Sequence, residues 1–407
     1  MMDEGALRRW SMPLCVSVVL GLLLACPLHH TVVDHPTAGD GGVASDGASS
    51  AFGLEIGDGG LSMGQPGLAM FMGGPRHRGR AAAEGPAETP EVIWRFATGA
   101  RVFASPVVSP TGTVYVGSVD GTFNAMSPEG RLLWSYAASS AIFSSAALSS
   151  AGHVYVGCDD GTFLAFHPSG RVLWSDRREQ PFDSSPVIGD DGTVYVGNDG
   201  LMAYTPRGGR RWRARTAGHV FSPPVVHPRQ VVIFGTPSGD VYGIHDDGRT
   251  AFRVHLEGAV HGGAAVLETG VIVVASIAGD VVALDAEGNQ QWQIRLEDTG
   301  VRSTPAVGLD GNLYLSALNG RVYALAPENG QVRWQFQTGG PLWASPIVDA
   351  AGRIYVGSQD HHVYCLDPDG ALRWQLRLGG EIDSTGAIGP DGTYYCGCDD
   401  GHLYALR

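Results

Sequence analysis

The sequence predicts an all-β protein, an eight-bladed β-propeller whose blades are four-stranded antiparallel sheets. From residue 91 to the end, one aromatic residue recurs at intervals of 38 to 42 residues. Each interval also contains a constant step of eleven residues from a small or proline position to a small position, as from Pro106 to Gly117. A period of this length indicates a repeat protein, and four short strands per 40 residues are typical of propeller blades. The recurring aromatics, which we interpret as blade-to-blade packing residues, are Trp94, Trp134, Trp174, Trp212, Phe252, Trp292, Trp334 and Trp374.

The elements of one unit follow in a fixed order. A small-residue strand such as 105–108 is followed by a Val-Tyr-Val-Gly strand such as 114–117. A third strand resembles residues 322–325, and a fourth carries the aromatic, as in 132–134. Asp-Gly and Asn-Gly pairs such as Asp120-Gly121 and Asn319-Gly320 separate the strands, and these are the residues that tight hairpins need.

The ends of the repeat region predict how the ring closes. The region begins with a lone fourth strand, residues 92–96, and it ends after a third strand, residues 402–406. We expect the two segments to complete one blade together, so that the ring closes without a covalent link and no blade is left incomplete.

The N-terminal 90 residues do not carry the repeat. Arg8 and Arg9 precede an apolar run, 14–25, that is too short to span a bilayer and suits a signal peptide. The run ends in Leu-Leu-Ala-Cys, which resembles a bacterial lipobox, so residues 1–26 are predicted to be a lipoprotein signal peptide with lipidation at Cys26. An ordinary signal peptide is the alternative. Residues 27–90 are rich in Gly, Ala, Ser and Pro and are predicted to be a disordered tether.

These features predict a location and exclude one class of partner. A lipidated Cys26 would hold the protein on a bacterial envelope membrane without a transmembrane helix. Pro27 stands where an aspartate would retain a lipoprotein at the inner membrane, which favours the outer membrane, facing either the periplasm or the cell surface. The net charge of −14 argues against nucleic-acid binding, which needs a basic face. We expect the propeller itself to be monomeric.

The repeat has a recognisable pattern. Residues 279–292 read Gly-x-Val-Val-Ala-Leu-Asp followed by Gly and Trp, which resembles the repeat of pyrroloquinoline-quinone (PQQ) type propellers over residues 91–407. That superfamily includes quinoprotein alcohol dehydrogenases and also non-catalytic lipoproteins of the BamB type, which assist outer-membrane protein assembly. A lipobox, a tether and eight minimal blades are similar to the plan of the second group.

The resemblance also implies what an enzyme of this fold would need. Quinoprotein dehydrogenases resemble each other in a disulfide between adjacent cysteines, a bound Ca²⁺ and an aspartate base, whereas this sequence has no adjacent cysteines. We therefore predict no catalytic residue and no cofactor, with PQQ and calcium as the alternative. The cysteines of the repeat region are interpreted as small buried residues, with a disulfide between Cys365 and Cys396 left open; the four are Cys158, Cys365, Cys396 and Cys398.

Possible metal ligands are interpreted as turn residues. The Asp-Asp-Gly turns at 159–161, 190–192, 246–248 and 399–401 lack the regular further ligands of a calcium loop. His361 and His362 lie at a predicted hairpin tip and have no evident third ligand. No metal site is predicted.

One position varies between the blades where its neighbours repeat. It lies in the loop that enters the innermost strand, where a propeller lines the mouth of its central channel. Aromatic and ionisable residues in such a place are typical of interaction sites, although drift at a loosely constrained loop would also produce variety. These candidate rim residues are Phe103, Phe143, Asp183, Phe221, His261, Arg302, Trp343 and Asp383. We predict a membrane-anchored scaffold that binds one or more envelope proteins; a PQQ-dependent oxidoreductase and a small-ligand sensor are the alternatives.

Overall fold

The computed structural model describes residues 69–216 and 218–407. The predicted signal peptide, Cys26 and residues 27–68 of the predicted tether lie outside the described residues. The predicted fold is confirmed: eight antiparallel sheets of four strands follow one another along the chain. One of them gains a fifth strand, Ala69–Met70, which is followed by a single 3-10 turn at Phe71–Gly73.

Each blade uses its strands in the order first to fourth, from the centre of the ring outwards. The innermost strands are Val107–Val108, Ala147–Leu148, Val187–Ile188, Val225–Val226, Ala265–Val266, Ala306–Val307, Ile347–Val348 and Ala387–Ile388. The second strands are Val114–Gly117, Val154–Gly157, Val194–Gly197, Val231–Gly235, Ile272–Ala275, Leu313–Ser316, Ile354–Gly357 and Tyr394–Cys398. The third strands are Thr122–Met126, Thr162–Phe166, Gly200–Tyr204, Asp240–His245, Asp280–Leu284, Arg321–Leu325, His362–Leu366 and His402–Leu406. The outermost strands of blades one to seven are Leu132–Ala137, Val172–Arg177, Arg210–Arg215, Thr250–His255, Gln290–Arg295, Val332–Gln337 and Leu372–Arg377, and Val92–Ala97 serves blade eight.

Burial explains the residues that these strands contain. The second strands are buried along their whole length because each lies between two neighbouring blades, so both faces are apolar. The outermost strands alternate instead between half-buried and exposed positions, as in residues 132–137. In every blade the pairing of this strand shifts register just before the aromatic residue, as between Val172 and Trp174.

The recurring aromatics join neighbouring blades. The Trp134 indole Nε1–H donates to the Pro168 carbonyl of the next blade at 2.8 Å. Gly170 lies under the same ring at φ +86°, and a Cβ there would come within 2.7 Å of the indole. Glycine is required at that turn by both the backbone conformation and the close approach. Five other indole Nε1–H groups donate to the equivalent turn carbonyl of their own next blade, those of Trp94, Trp174, Trp212, Trp292 and Trp334. Phe252 packs on Gly288 in the equivalent position but has no group to donate.

The ring closes as the sequence predicts. Val92–Ala97 pairs antiparallel with His402–Leu406, with Trp94 opposite Ala405. The amide of Glu91 donates to the Arg407 carbonyl at 2.9 Å, and the amide of Arg407 donates to the Glu91 carbonyl at 3.0 Å.

The predicted extent of the tether is wrong at its C-terminal end, because residues 69–90 are ordered against the propeller. We call residues 69–80 the plug. Its first strand pairs with the innermost strand of blade two, where Ala69 lies opposite Leu148. Further along, four plug carbonyls accept hydrogen bonds from amides on the free inner edge of four other innermost strands, at 2.7 to 2.9 Å. These hydrogen bonds join Val226 to Pro75, Val266 to Arg76, Val307 to Arg78 and Val348 to Gly79.

Three plug side chains are buried among different blades. Met70 packs with residues of blades two to four, including Val187 and Val226, whereas Met72 packs with blades six and seven. His77 is almost fully buried, and burial lowers its pKa to about 3. The plug therefore links blades that do not touch each other. The sequence interpretation also missed the arginines at every second position, 76, 78 and 80, whose side chains donate to carbonyl groups of three innermost strands at 2.6 to 2.9 Å.

The next residues replace a turn that blade eight lacks. In most other blades the indole of the preceding blade donates to the turn that joins the third and fourth strands. Blade eight has no such turn, because its third strand ends at the C-terminus and its fourth strand begins at residue 92. The Trp374 Nε1–H instead donates to the Pro86 carbonyl at 2.9 Å, and the Tyr355 hydroxyl donates to the same oxygen at 3.1 Å. The closure of the ring thus begins before residue 91.

Candidate functional site at the channel rim

The two faces of the propeller are distinguished by their loops. On the face that we call the rim face, loops enter the innermost strands and link second to third strands. On the opposite face, the plug face, loops link first to second and third to fourth strands. The plug contacts the ends of the innermost strands at the plug face, where Arg76 forms an ion pair with Asp190 at 2.8 Å.

A belt of hydroxyl groups surrounds the channel beneath the rim. Each backbone amide donates to the hydroxyl of the next blade, for example Ser105 to Ser145 at 3.0 Å, and the belt closes from Thr385 to Ser105 at 3.0 Å. It is interrupted at Pro223 and Gly263, and His77 occupies this gap, since a Cβ on Gly263 would lie 3.0 Å from its Nδ1. The belt explains the small residues next to the rim position, because larger side chains would break the inter-blade contact.

The eight predicted rim residues all lie at the rim face, and each is at least partly exposed. Phe143 and Phe221 are the most open, each with 40% of its surface accessible. Because these aromatic rings are accessible to solvent, they are available to another molecule.

Contacts join several rim residues to their neighbours around the ring. The rings of Phe103 and Phe143 lie 6.1 Å apart, and those of Phe221 and His261 also lie 6.1 Å apart. The Arg302 guanidinium lies 4.2 Å from the centre of the Trp343 ring, a cation–π contact that fixes both side chains.

The acidic rim residues belong to two clusters that single-position comparison did not find. In the first, Asp183 faces the His219 ring at 3.5 Å and crowds Asp159, whose pKa is raised by burial and by the Asp183 charge. In the second, Glu381, Asp383 and Asp399 bring carboxylate oxygens within 4.8 Å of one another.

The second cluster is partly neutralised by its neighbours. The Gln359 amide donates to Asp383 Oδ1 at 3.0 Å, and Arg101 approaches Asp399 at 3.5 Å while lying 4.8 Å above the Phe103 ring. Burial raises the pKa of Asp383 to about 6, and the nearby Asp399 and Glu381 charges act in the same direction against the Gln359 hydrogen bond. Burial also lowers the pKa of His261 to about 4, assisted by the Arg302 charge.

A regular offset could have revealed these additional residues. Arg101, His219 and Glu381 each lie two positions before a rim residue, where other blades have Ala, Gly or Pro. Asp159, Gln359 and Asp399 occupy one equivalent position in the loop after the second strand. In the turns at 159–161 and 399–401 only the second acid acts as a turn residue, accepting a backbone amide two residues later. The first acid of each turn lies in a rim cluster, which the interpretation of all these acids as turn residues missed.

The propeller matches a known protein family over almost its whole length. A family model described as outer membrane protein assembly factor BamB matches four overlapping stretches, residues 79–181, 160–244, 237–344 and 318–407. The chain belongs to this family. The BamB match begins at residue 79 and so includes the end of the plug.

Individual BamB proteins match a shorter part of the chain than the family model does. Proteins named outer membrane protein assembly factor BamB are 30% identical to the chain over 176 residues in Moranella endobia (strain PCIT) and over 188 residues in Yersinia pestis. These matches cover 39% and 42% of this chain and 44% and 46% of the relatives, so the similarity spans less than half of the length of each relative.

Solved structures show the same fold at low identity. BamB from Moraxella catarrhalis has a TM-score of 0.67 at 15% identity, over 78% of this chain and 99% of that chain. A europium-containing methanol dehydrogenase has a TM-score of 0.70 at 14% identity, over 84% and 98%. BamB proteins and quinoprotein dehydrogenases, the two groups that the sequence resembles, therefore both share the fold of this chain.

The pH dependence of stability should report on the second acidic cluster. We expect Asp383→Asn to stabilise the protein above pH 6 by about 1 kcal/mol, because it removes a buried charge and keeps the oxygen that accepts from Gln359. The pKa of Asp383 is about 6 in the folded protein and about 4 when unfolded. The wild type therefore gains stability as the pH falls from about 7 to about 4, and the advantage of the variant should disappear below pH 4. Urea denaturation at several pH values measures this.

Asp360→Asn is the matched control. The Asp360 pKa is lowered, since hydrogen bonds from the Tyr364 hydroxyl and the amides of His362 and Gly339 outweigh the effect of burial. Its stabilising contribution is present at neutral pH and is lost as the pH falls, so Asp360→Asn should destabilise most at high pH. Equal pH profiles for wild type and Asp383→Asn would contradict the assignment.

Proposed function

We propose that the protein is a non-catalytic, membrane-anchored scaffold of the bacterial envelope that binds partner proteins in outer-membrane protein assembly through its rim face. The observation that carries this proposal is the rim itself, where four aromatic and four ionisable side chains, all at least partly exposed, lie on one face of the ring. Large aromatic residues and arginine contribute most of the energy at protein interfaces. The names of the BamB relatives support the assembly role.

The contacts of the rim also support a scaffold that works without a cofactor. The resemblance to quinoprotein dehydrogenases implies adjacent cysteines, whereas the four cysteines in the described residues are free and buried. The Arg302 guanidinium covers one face of Trp343, so that face is not available to stack on a planar cofactor. The acidic cluster at Asp383 offers oxygen ligands to a cation, but Gln359 and Arg101 already contact two of its carboxylates. These residues do not fit the arrangement that a PQQ enzyme would need.

A double variant of the rim tests the scaffold. Arg302→Ala with Trp343→Ala should abolish co-purification of an outer-membrane assembly component from envelope extracts of the native host, identified by mass spectrometry. The variant should stay folded, with a loss of unfolding free energy of no more than about 2 kcal/mol, because both side chains are partly exposed. Arg333→Ala with Leu309→Ala, away from the rim face, is the control. Retained capture by the folded rim variant, or severe destabilisation with binding intact, would reject the proposal.

A titration tests the enzymatic alternative. We expect PQQ with Ca²⁺ to produce no saturable shift in melting temperature or absorbance of the purified protein. A saturable shift would support the oxidoreductase alternative.

Anchoring is tested by fractionation. We propose that Cys26 carries the lipid and that the protein resides at the outer membrane. Cys26→Ser should move the protein from the membrane fraction to the soluble fraction, because removing the acyl chains removes the anchor, while the melting temperature should not change. Identical fractionation of variant and wild type would show that Cys26 is not the anchor. In the part of the chain that the structure describes, no helix has the length and apolar character needed to span a bilayer.

A further inference from the structure

Exposed apolar side chains gather on the outer wall of five consecutive blades. They are most numerous on blades eight, one and two, while blades six and seven contribute one each, Val332 and Leu372, with 43% and 45% of their surfaces exposed. The outermost strands of blades eight, one and two begin with apolar pairs at the register shift. Both residues of a pair are exposed in blades eight and one, whereas in blade two Val172 is exposed and Leu173 is half-buried against the core. We define the apolar belt as Val92, Ile93, Leu132, Leu133 and Val172, whose exposed fractions are 43%, 47%, 49%, 53% and 39%.

The fold does not require apolar residues at these positions. The equivalent pairs of blades three, four and five are Arg210-Arg211, Thr250-Ala251 and Gln290-Gln291, in the same strand and with the same register shift. One side of the ring is therefore apolar and the opposite side is polar. Because exposed apolar groups cost free energy in water, this asymmetry points to a surface that is covered when the protein works.

The belt lies at the plug face. The outermost strand of blade two begins at the same end of the blade as Leu148, which pairs with Ala69 at the start of the described chain. The preceding residues, which include the predicted lipidation site, therefore join the propeller on the face that carries the belt. Arg131 and Arg171, both exposed, come directly before the apolar pairs of blades one and two, whereas Glu91 precedes that of blade eight and Arg131 lies 3.4 Å from Glu129.

The size of the belt indicates what could cover it. Its five side chains expose on the order of 400 Å², whereas a stable protein interface needs about 800 Å² from each partner. Apolar side chains flanked by arginine instead suit the lipid interface, where the apolar groups enter the acyl boundary and guanidinium groups meet anionic headgroups.

We propose that the apolar belt contacts an anionic lipid surface and holds the propeller with its plug face toward the membrane and its rim face away from it. This inference rests on the membrane location in the proposed function. It adds a second, weaker membrane contact to the lipid anchor. It also explains how the rim would remain open to a partner.

The experiment removes the anchor and measures the belt alone. Residues 27–407, which lack the predicted signal peptide and lipidation site, are mixed with vesicles of phosphatidylethanolamine and phosphatidylglycerol at three to one, and binding is measured by co-sedimentation. Leu132→Gln with Leu133→Gln should lower the partition coefficient about tenfold. This pair is native to blade five, so the fold should tolerate it, and circular dichroism and melting confirm folding. Gln290→Ser with Gln291→Ser is the matched control and should bind as the parent does.

Each outcome decides the proposal. Loss of vesicle binding in the folded leucine variant, with the control unchanged, supports it. No vesicle binding by the parent, equal binding by all variants, or a concentration-dependent dimer that the leucine variant abolishes would overturn it. A failed vesicle assay would leave the rim capture experiment unaffected, because that experiment measures protein binding, so the two proposals fail separately.

Discussion

Deleting residues 91–96 is expected to unfold the propeller or to remove more than about 5 kcal/mol of its stability, a large part of the total for a typical protein. The deletion removes the outermost strand of blade eight, its backbone pairing with residues 402–406, and the Trp94 contact with the next blade. Chemical denaturation followed by tryptophan fluorescence measures the loss. A deletion variant that melts like the wild type would show that the ring does not close in this way.

Single substitutions show how much stability individual aromatic residues of the ring contribute. Trp94 is only partly buried, so Trp94→Ala should cost about 2 kcal/mol, below the 3 to 5 kcal/mol of a fully buried aromatic. Trp374 has only 3% of its surface exposed, so Trp374→Ala should lower the unfolding free energy by about 3 to 5 kcal/mol. Trp212→Phe is the mild control, because Phe252 occupies the same position in blade four. Equal costs for Trp94 and Trp374 would contradict the burial argument.

Removing the two buried methionines of the plug is expected to destabilise the protein by at least about 4 kcal/mol, because each buried Met→Ala change costs about 2 kcal/mol or more. Met70 and Met72 pack in separate clusters on different sides of the ring. Their effects should therefore be nearly additive. A double-mutant cycle in urea denaturation measures both the loss and its additivity.

A deletion distinguishes the plug from the predicted tether. Removing residues 30–60 should leave the melting temperature unchanged, whereas removing residues 69–83 should lower it strongly. If the methionine variants and both deletions all melt like the wild type, the plug makes no contribution to the fold and its contacts are incidental.

The sequence by itself determined the architecture and its closure. Eight copies of one unit, with an aromatic at each period and a constant eleven-residue step, leave little choice of fold, because each unit must bury the same faces against the next. The lone strands at 92–97 and 402–406 could be paired from order alone. The eight rim positions were also found by comparing blades, since the residues beside them repeat to maintain the hydroxyl belt.

Only the tertiary structure decided the role of residues 69–90 and the partners at the rim. The plug lacks the 40-residue period of the blades. Arginine alternates at 76, 78 and 80, but the groups it meets are backbone carbonyls of successive innermost strands, which leave no signal in the sequence. Its partners, from Leu148 to Val348, are separated by 200 residues of sequence. Asp183 likewise meets Asp159 and His219, and Asp383 meets Gln359, across blade boundaries. Such contacts depend on how the ring brings blades together in space, which no local pattern records.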